Sequence, residues 1–478
     1  MGGVVGLNFG SATSGQGFDV TSTVNQIVSN LQRVETPWKN QLTSLQNKDT
    51  TLSNLGTLIS TLSTDLQNLR DFNGVLASKT GSSSDTNLLS LLSANSAAVA
   101  GTHEVTVQNL ARTSSAATDA VGASDVLTGS ITFKVGNGTW QTVSVGDGST
   151  AATLSGLAAA INGAGGGVTA TILTNADGTA RLSLMSQTSG SAGQITIADA
   201  TNNPGSPTTL ADSTSADTNS GLGLATIQGG IDATINVDGI TITSSSNTVT
   251  NAIPGVTFQL LSASAAGAGS EPVQVVIAND TSSIESAVNT FVTDYNAVIK
   301  AISAQETKDS SGNPEPLFGT SVLAQLQQGL QSAMSQAFGT NNVNSLISLG
   351  ISASASADGT VTLDAGALSN ALNSNFSQVV ALFQNADGLG WSFAQTLNNL
   401  GSSRTSGAIS LALSEDASLE KALNDNISKQ EELIATQKTN LTAELNMANQ
   451  ILQSIPQQIQ QVSEMYSAIT GYNSKQNG

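Results

Sequence analysis

Cysteine is absent from this chain, which removes disulfides, thiolate catalysis and cysteine-based metal sites together. Histidine occurs once, so a Ser–His–Asp arrangement would have to be built on His103. That residue lies in the alternating segment HEVTVQ, where a half-exposed strand histidine is the simpler reading. Charge is scarce at 10% of residues, and aromatics make up 4%. What charge there is runs acidic, 34 Asp and Glu against 15 Lys and Arg, so the clustered cations that bind nucleic acid are lacking. No apolar run is long enough for a membrane span, so none is expected. The opening MGGVVGLNFGSATSGQGFDV has no basic segment followed by an apolar one, so no cleavable secretory signal is expected. Gly6 also stands where an acylation motif requires Ser or Thr.

What is present is a seven-residue apolar repeat at each end of the chain. Near the start it runs through Val20, Val24, Ile27, Leu31, Val34, Leu42 and Leu45, and on to Leu69. Such spacing predicts helices that bury one narrow seam against other helices. Pro37 divides the run into helices over 20–35 and 37–69, with proline in the first turn of the second. The far end mirrors this with Leu419, Leu423, Ile427, Ile434, Leu441, Leu445, Leu452, Ile455, Ile459, Val462 and Tyr466. Pro456 predicts a kink there, and the terminal NSKQNG is expected to be loose. The other faces are mostly Asn, Gln, Ser and Thr, with few charge pairs to support an isolated helix, so these helices need partners. The candidate self-assembly residues are therefore Val24, Ile27, Leu31, Val34, Leu42, Leu45, Leu441, Leu445, Leu452, Ile455, Ile459, Val462 and Tyr466.

A chain of 478 residues predicts two to four domains. Between the terminal repeats, alternation predicts strands at 103–107, 131–135, 139–145, 168–173, 180–185, 194–198, 233–237, 256–261 and 273–278, with one helix over 151–162. Asp177-Gly178 and Asp238-Gly239 have the composition of hairpin turns. Helical periodicity returns around Ile284–Ile302 and Val322–Phe338. A strand pair is expected over 347–351 and 360–363, then helices over 365–383 and 389–400. The fold class is multidomain α+β, with terminal helices in a coiled-coil-like stem, a mainly helical domain and two nested β-rich head domains. The expected boundaries are 1–44 with 440–478 for the stem, 45–72 with 281–439 for the helical domain, 73–129 with 228–280 for one β domain, and 130–227 for the outermost.

Chemical motifs are weak. Asp309 in KDSSGNPEP lacks the further ligands of a calcium loop, and Val145-Gly146-Asp147-Gly148 has neither the third glycine nor the lysine of a phosphate cradle. Glu415-Asp416 and Glu431-Glu432 read as the solvated face of a polar helix. Residues 101–280 carry twelve acidic and three basic residues and only Phe133, Trp140 and Phe258 as aromatics, which reads as an exposed soluble surface. No cofactor or metal is expected, and no enzyme activity.

Several segments in order resemble the flagellar filament cap family, also called hook-associated protein 2. They are Gly17-Phe18-Asp19-Val20, Glu35-Thr36-Pro37, the run 101–111 (GTHEVTVQNLA), Ile161-Asn162 with Gly167-Val168-Thr169-Ala170 (the IN motif of flagellin-related proteins), LISLGI at 346–351, Asp358-Gly359-Thr360, Leu363-Asp364, and VVALF at 379–383. The resemblance implies a homo-oligomeric ring, four to six subunits by family, at the filament tip. It implies that the ring promotes insertion of flagellin, with export through the flagellar channel and an export chaperone as a further partner. Alternatives of other classes are a hook–filament junction or flagellin-like subunit, and an extracellular adhesin for mucin or host glycans. A hydrolase would depend on His103 or on single carboxylates.

Overall fold

A computed structural model describes residues 17–148, 152–212, 222–264, 272–356 and 358–470. The expectations for the opening segment, for the first residue of the 151–162 helix and for the NSKQNG tail lie outside the described residues. The described helices are, in chain order, α1 (Val20–Gln32), α2 (Thr36–Arg70), α3 (Leu154–Gly163), α4 (Thr281–Gln305), α5 (Ser321–Ser335), α6 (Ala365–Ser374), α7 (Phe376–Gln384), α8 (Leu389–Leu400) and α9 (Ala408–Thr470). The chain divides into two compact units, Met1–Arg70 with Glu285–Gly478, and Asp71–Ile284.

In the helical unit, α2 changes character along its length. Its first half leaves Leu42 and Leu45 half-buried, whereas Leu52, Leu55, Ile59, Leu62, Leu66 and Leu69 are fully enclosed. These leucines sit in a core shared with α8 and α9, where Phe291 of α4 meets Phe393 of α8 edge-to-face at 5.6 Å. Arg70 closes α2 with its guanidinium 4.1 Å from the centre of the Trp391 ring. Three details differ from expectation. The segment 347–351 is not one strand: Ile347–Leu349 forms a 3-10 turn that ends on Gly350 at φ 83°, and only Ile351–Ala353 pairs with Val361–Leu363. The predicted helix over 365–383 is split at Asn375, whose backbone leaves the helical region. The helix α9 runs uninterrupted through Pro456.

The β unit has two apolar cores. In the first, a five-stranded sheet, in the order 79–83, 273–279, 101–109, 233–237, 240–244, shares a core with a three-stranded sheet of 248–250, 256–260 and 89–94. Phe258 fills it from one side and Val105, Val107, Ile235 and Val275 from the other. The second core gathers Phe133, Leu157, Ile161, Leu182 and Leu184 beneath α3. Asp238 and Gly239 both take positive φ in the tight turn joining two paired strands, as the Asp-Gly composition predicts.

The expected domain boundary at 129/130 cuts the strand Leu127–Val135. The strand Thr113–Thr118 pairs with Thr179–Ser189, so residues 113–129 pack with the second core, and the crossing point is the bridge Arg112–Ile231. The segment TSSAAT hides this in the sequence, because its inward residues are as small as Ala116.

Asparagine side chains take the place of missing backbone partners at three points. Asn162 donates to the Ala170 carbonyl at 2.9 Å and accepts its N–H at 2.8 Å. Asn247 does the same for Ala111, at 3.0 and 2.7 Å, and Asn296 for Val361, at 2.8 Å each way. A carboxamide presents a donor and an acceptor side by side, which matches the free edge of a residue in a strand. The Ile161-Asn162 pair thus has a mechanical reason: Ile161 is buried, and Asn162 ties the helix end to the next strand. Asn162→Ala is expected to lower the stability of the β unit by about 1–3 kcal/mol, because both groups of Ala170 lose their partner. Urea unfolding followed by Trp140 fluorescence measures this; an unchanged midpoint contradicts it.

Candidate functional site

The two chain ends pair as antiparallel helices within the helical unit. The Phe18 N–H donates to Asn449 Oδ1 at 2.9 Å, Lys39 bonds Glu431 at 2.9 Å, and Lys48 bonds Asp416 at 2.9 Å. Each contact further along the N-terminal helices meets α9 at an earlier residue. The turn into α1 is built for this pairing. Gly17 holds φ at 64°, a conformation that favours glycine, and a Cβ there would push aside the Asn449 carboxamide that accepts from the Phe18 N–H. Asp19 caps α1 by accepting from the Ser22 N–H at 3.0 Å.

Between α1 and α2 the chain tightens at Glu35, which is buried although charged. Lys39 bridges it to α9, bonding Glu35 and Glu431 at 2.9 Å each. These carboxylates, Glu35 foremost, hold the Lys39 ammonium above its ordinary range. Glu35-Thr36-Pro37 therefore combines a buried anchor with a proline in the first turn, where no backbone N–H is needed.

The predicted seam residues fall into three groups. Val24 is buried, in a cluster with Val20, Val28 and Ile434, against which Leu31, Leu441 and Leu445 pack. Ile27, Leu42, Leu45, Leu452 and Ile455 are half-buried. Val34, Ile459, Val462 and Tyr466 are exposed, the last three at 51%, 64% and 62%. The pattern missed Val28, which a step of four from Val24 selects over Ile27. It also missed Phe18 and Asn449, for which apolar periodicity gives no signal. Beyond Pro456 every large apolar side chain of α9 is exposed, including Met465 and Ile469. One charge assignment is corrected: Asp416 is not on a solvated face but buried at 1% exposure, seven residues from both Ile409 and Leu423 on the packed side of the helix.

Elsewhere the described residues form no group of three or more His, Asp or Glu placed to hold a metal ion. No described helix is long and apolar enough to cross a membrane. His103 Nδ1 lies 2.7 Å from Asp238 Oδ2, and Asp238, held low chiefly by this bond, also accepts the Glu104 N–H at 2.9 Å. The pair thus fastens a hairpin turn to the neighbouring strand. Asp309 accepts from the N–H groups of Ser311 and Asn313 at 2.8 Å each, which closes its loop. A cavity of about 380 Å³ beside the 351–363 hairpin is lined by Tyr295, Met334, Ile347 and Val361, with no carboxylate, histidine or lysine. Burial pushes the Tyr295 hydroxyl up to about 12, so it is a poor acid or base there.

Gly17→Ala is expected to weaken the docking of α1 by about 1–2 kcal/mol, the cost of the left-handed backbone for a residue with a Cβ. Amide exchange should speed up across Val20–Gln32 while Leu52–Leu69 stays protected; unchanged exchange in α1 contradicts the assigned role of Gly17.

Comparison with known families extends this picture. The model of the flagellar hook-associated protein 2 C-terminus matches residues 230–476, that of its N-terminus matches 16–114, and the flagellin hook IN motif matches 130–188. The B-type flagellar hook-associated protein 2 of Pseudomonas aeruginosa is 29% identical over 332 residues, 66% of this chain and 68% of that protein. The flagellar hook-associated protein 2 of Escherichia coli is 28% identical over 385 residues, 77% of this chain and 78% of that protein. A crystal structure of the flagellar cap protein from Escherichia coli matches in fold with a TM-score of 0.57 at 24% identity, over 77% of this chain and 99% of that one. With the C-terminal family model covering more than half of its length, and the N-terminal model matching the paired segment at its other end, this chain belongs to the flagellar hook-associated protein 2 family.

Proposed function

We propose that this chain is a capping subunit at the distal end of the bacterial flagellum, where copies of it assemble into a ring and promote insertion of flagellin into the growing filament. The observation that carries this reading is the uncovered end of the α9 stripe, with Ile459, Val462, Met465, Tyr466 and Ile469 all exposed on one chain. Contiguous apolar surface on a long helix is stabilised when another helix covers it. Each such side chain contributes on the order of 1.5–3 kcal/mol when fully buried, so a few of them support a specific contact. Family membership supplies the setting, the tip of the flagellum, and with it flagellin as the protein handled there.

Under this reading the work is done by packing and rearrangement of helices, without bond chemistry. The exported subunit acts outside the cell, and an export chaperone is the natural holder of the same stripe before assembly. The proposed organisation keeps the paired ends as an assembly domain, the leucine-rich half of α2 with α4–α8 as a helical domain, and two β-rich domains inserted between them. The candidate residues then divide by role. Val24, Leu31, Leu441 and Leu445 hold the two ends of one chain together, and Ile459, Val462 and Tyr466 meet a neighbour.

Ile459→Asp with Val462→Asp is expected to leave circular dichroism unchanged while shifting sedimentation to the monomer. In a bacterium deprived of its own cap protein and carrying this one with its matched flagellin, the native chain should restore filaments. The variant should leave flagellin unpolymerised in the medium. A native chain that restores nothing, or a variant that assembles like the native chain, contradicts the reading.

A further inference from the structure

The packed face of α9 carries a carboxylate where its repeat calls for an apolar side chain. Asp416 is buried at 1%, and its Oδ1 is bonded to Lys48 Nζ. Its Oδ2 is buried with no hydrogen-bond partner, as are Asp49 Oδ1 on α2 and Glu420 Oε1 one turn along α9. Asp49 and Asp416 are within hydrogen-bonding reach of each other across the helix pair. Among these four groups, one ammonium faces three carboxyls. The arrangement recurs further along α2, where Asp65 reaches Asp294 of α4 and leaves Asp65 Oδ2 buried without another partner. Of the other helices packed on this pair, α1, α5, α7 and α8 contain no ionisable side chain, and α4 carries Glu285, Asp294, Tyr295 and Lys300.

Two carboxylates in contact repel, and each buried oxygen without a donor is costly. One proton shared by Asp49 and Asp416 removes their mutual repulsion and gives one of the two carboxylates a donor, because a protonated carboxyl donates to the other. A metal ion is the other way to satisfy such oxygens, but the described acidic groups do not converge on a point suited to one.

We propose that the contact between α2 and α9 is a proton-operated clasp, in which Asp49 takes up one proton as the helices close and donates it to Asp416, with Asp65 and Asp294 repeating the device between α2 and α4. The step is a simple balance: solvent supplies H⁺, the Asp49 Oδ1–H bond forms, and parting of the helices returns the proton. Lys48 against Asp416 leaves Asp49 as the member that is protonated.

Burial and the adjacent Asp416 push the Asp49 carboxyl up to about 6, and burial with Asp294 does the same for Asp65. A folded-state value above the unfolded one means that the added stability is complete at low pH and is lost as pH rises through about 6. The carboxyls held low by hydrogen bonds in this unit, Asp309, Asp358 and Asp425, act in the opposite sense, but only as pH falls below the ordinary aspartate range. The two effects occupy separate windows.

The test uses the full chain in a His103→Gln background, which removes the single imidazole from the readout. Denaturant unfolding followed by helical circular dichroism should show the folding equilibrium constant falling about 10- to 100-fold between about pH 5 and about pH 8. Asp49→Asn, whose amide donates permanently, should be the more stable chain at the upper pH and should lose about tenfold of that dependence. Asp425→Asn, at an exposed pair, should retain it. Carboxyl-carbon NMR of the aspartates in the unsubstituted chain should show titrations near 6. Stability that stays level or rises with pH, as cation binding would produce, overturns the clasp. So does an aspartate spectrum with no titration in that range.

Discussion

Among the described residues, the helix α9 is longer than what the rest of the chain offers to cover it. At 63 residues it extends about 95 Å, and its apolar stripe continues almost to the end. Among the described residues, the antiparallel partner helices meet it from Ile409 to Asn449, leaving roughly 30 Å of helix with its apolar residues half-buried or exposed. A stripe cannot be satisfied by water, and the polar faces around it supply few charge pairs to hold the helix by themselves. The helical core, the buried turn at Glu35 and the capped approach at Gly17 all fix the covered part, and so define where the uncovered part begins.

The scarcity of charge shapes the rest. With 10% charged residues, polar contacts in this protein are made largely by Asn, Ser and Thr. Asparagine therefore serves as a strand partner at Ala111, Ala170 and Val361, the Thr153 hydroxyl caps α3, and the Thr360 hydroxyl fastens its turn by donating to Asp358. Where charges are buried they stand out. Glu35 and Asp416, the latter bonded to the half-buried Lys48, sit where α1, α2 and α9 join, and a misplaced register would leave them unpaired. Buried polar groups that fix register at the expense of stability are a known use of such positions.

Much of this was legible from residue order. The seven-residue repeats gave both terminal helices, Pro37 marked the break between α1 and α2, and the alternating runs with Asp-Gly turns located most of the long strands. What escaped had a physical cause. The strand Thr113–Thr118 is too rich in small residues to alternate visibly, so the boundary between the two β cores lies earlier than the pattern predicts. A 3-10 turn in LISLGI depends on the left-handed Gly350, which reads as one more residue of an apolar run. At the candidate site, the repeat identified which residues are apolar, but periodicity is blind to which copy covers them. It marked Leu31 and Ile459 alike, although among the described residues the first packs against the helix pair and the second is 51% exposed. It also passed over Asp416, because a carboxylate in a seam contradicts the rule that reveals the seam.

The central claim is that the far end of α9 becomes buried against another copy when the protein assembles. Oxidative footprinting of the full chain, dilute and assembled, reads this directly at Met465 and Tyr466, both exposed in the single chain. The account predicts strong labelling of both in the dilute protein and protection on assembly. Equal labelling in both states would contradict it.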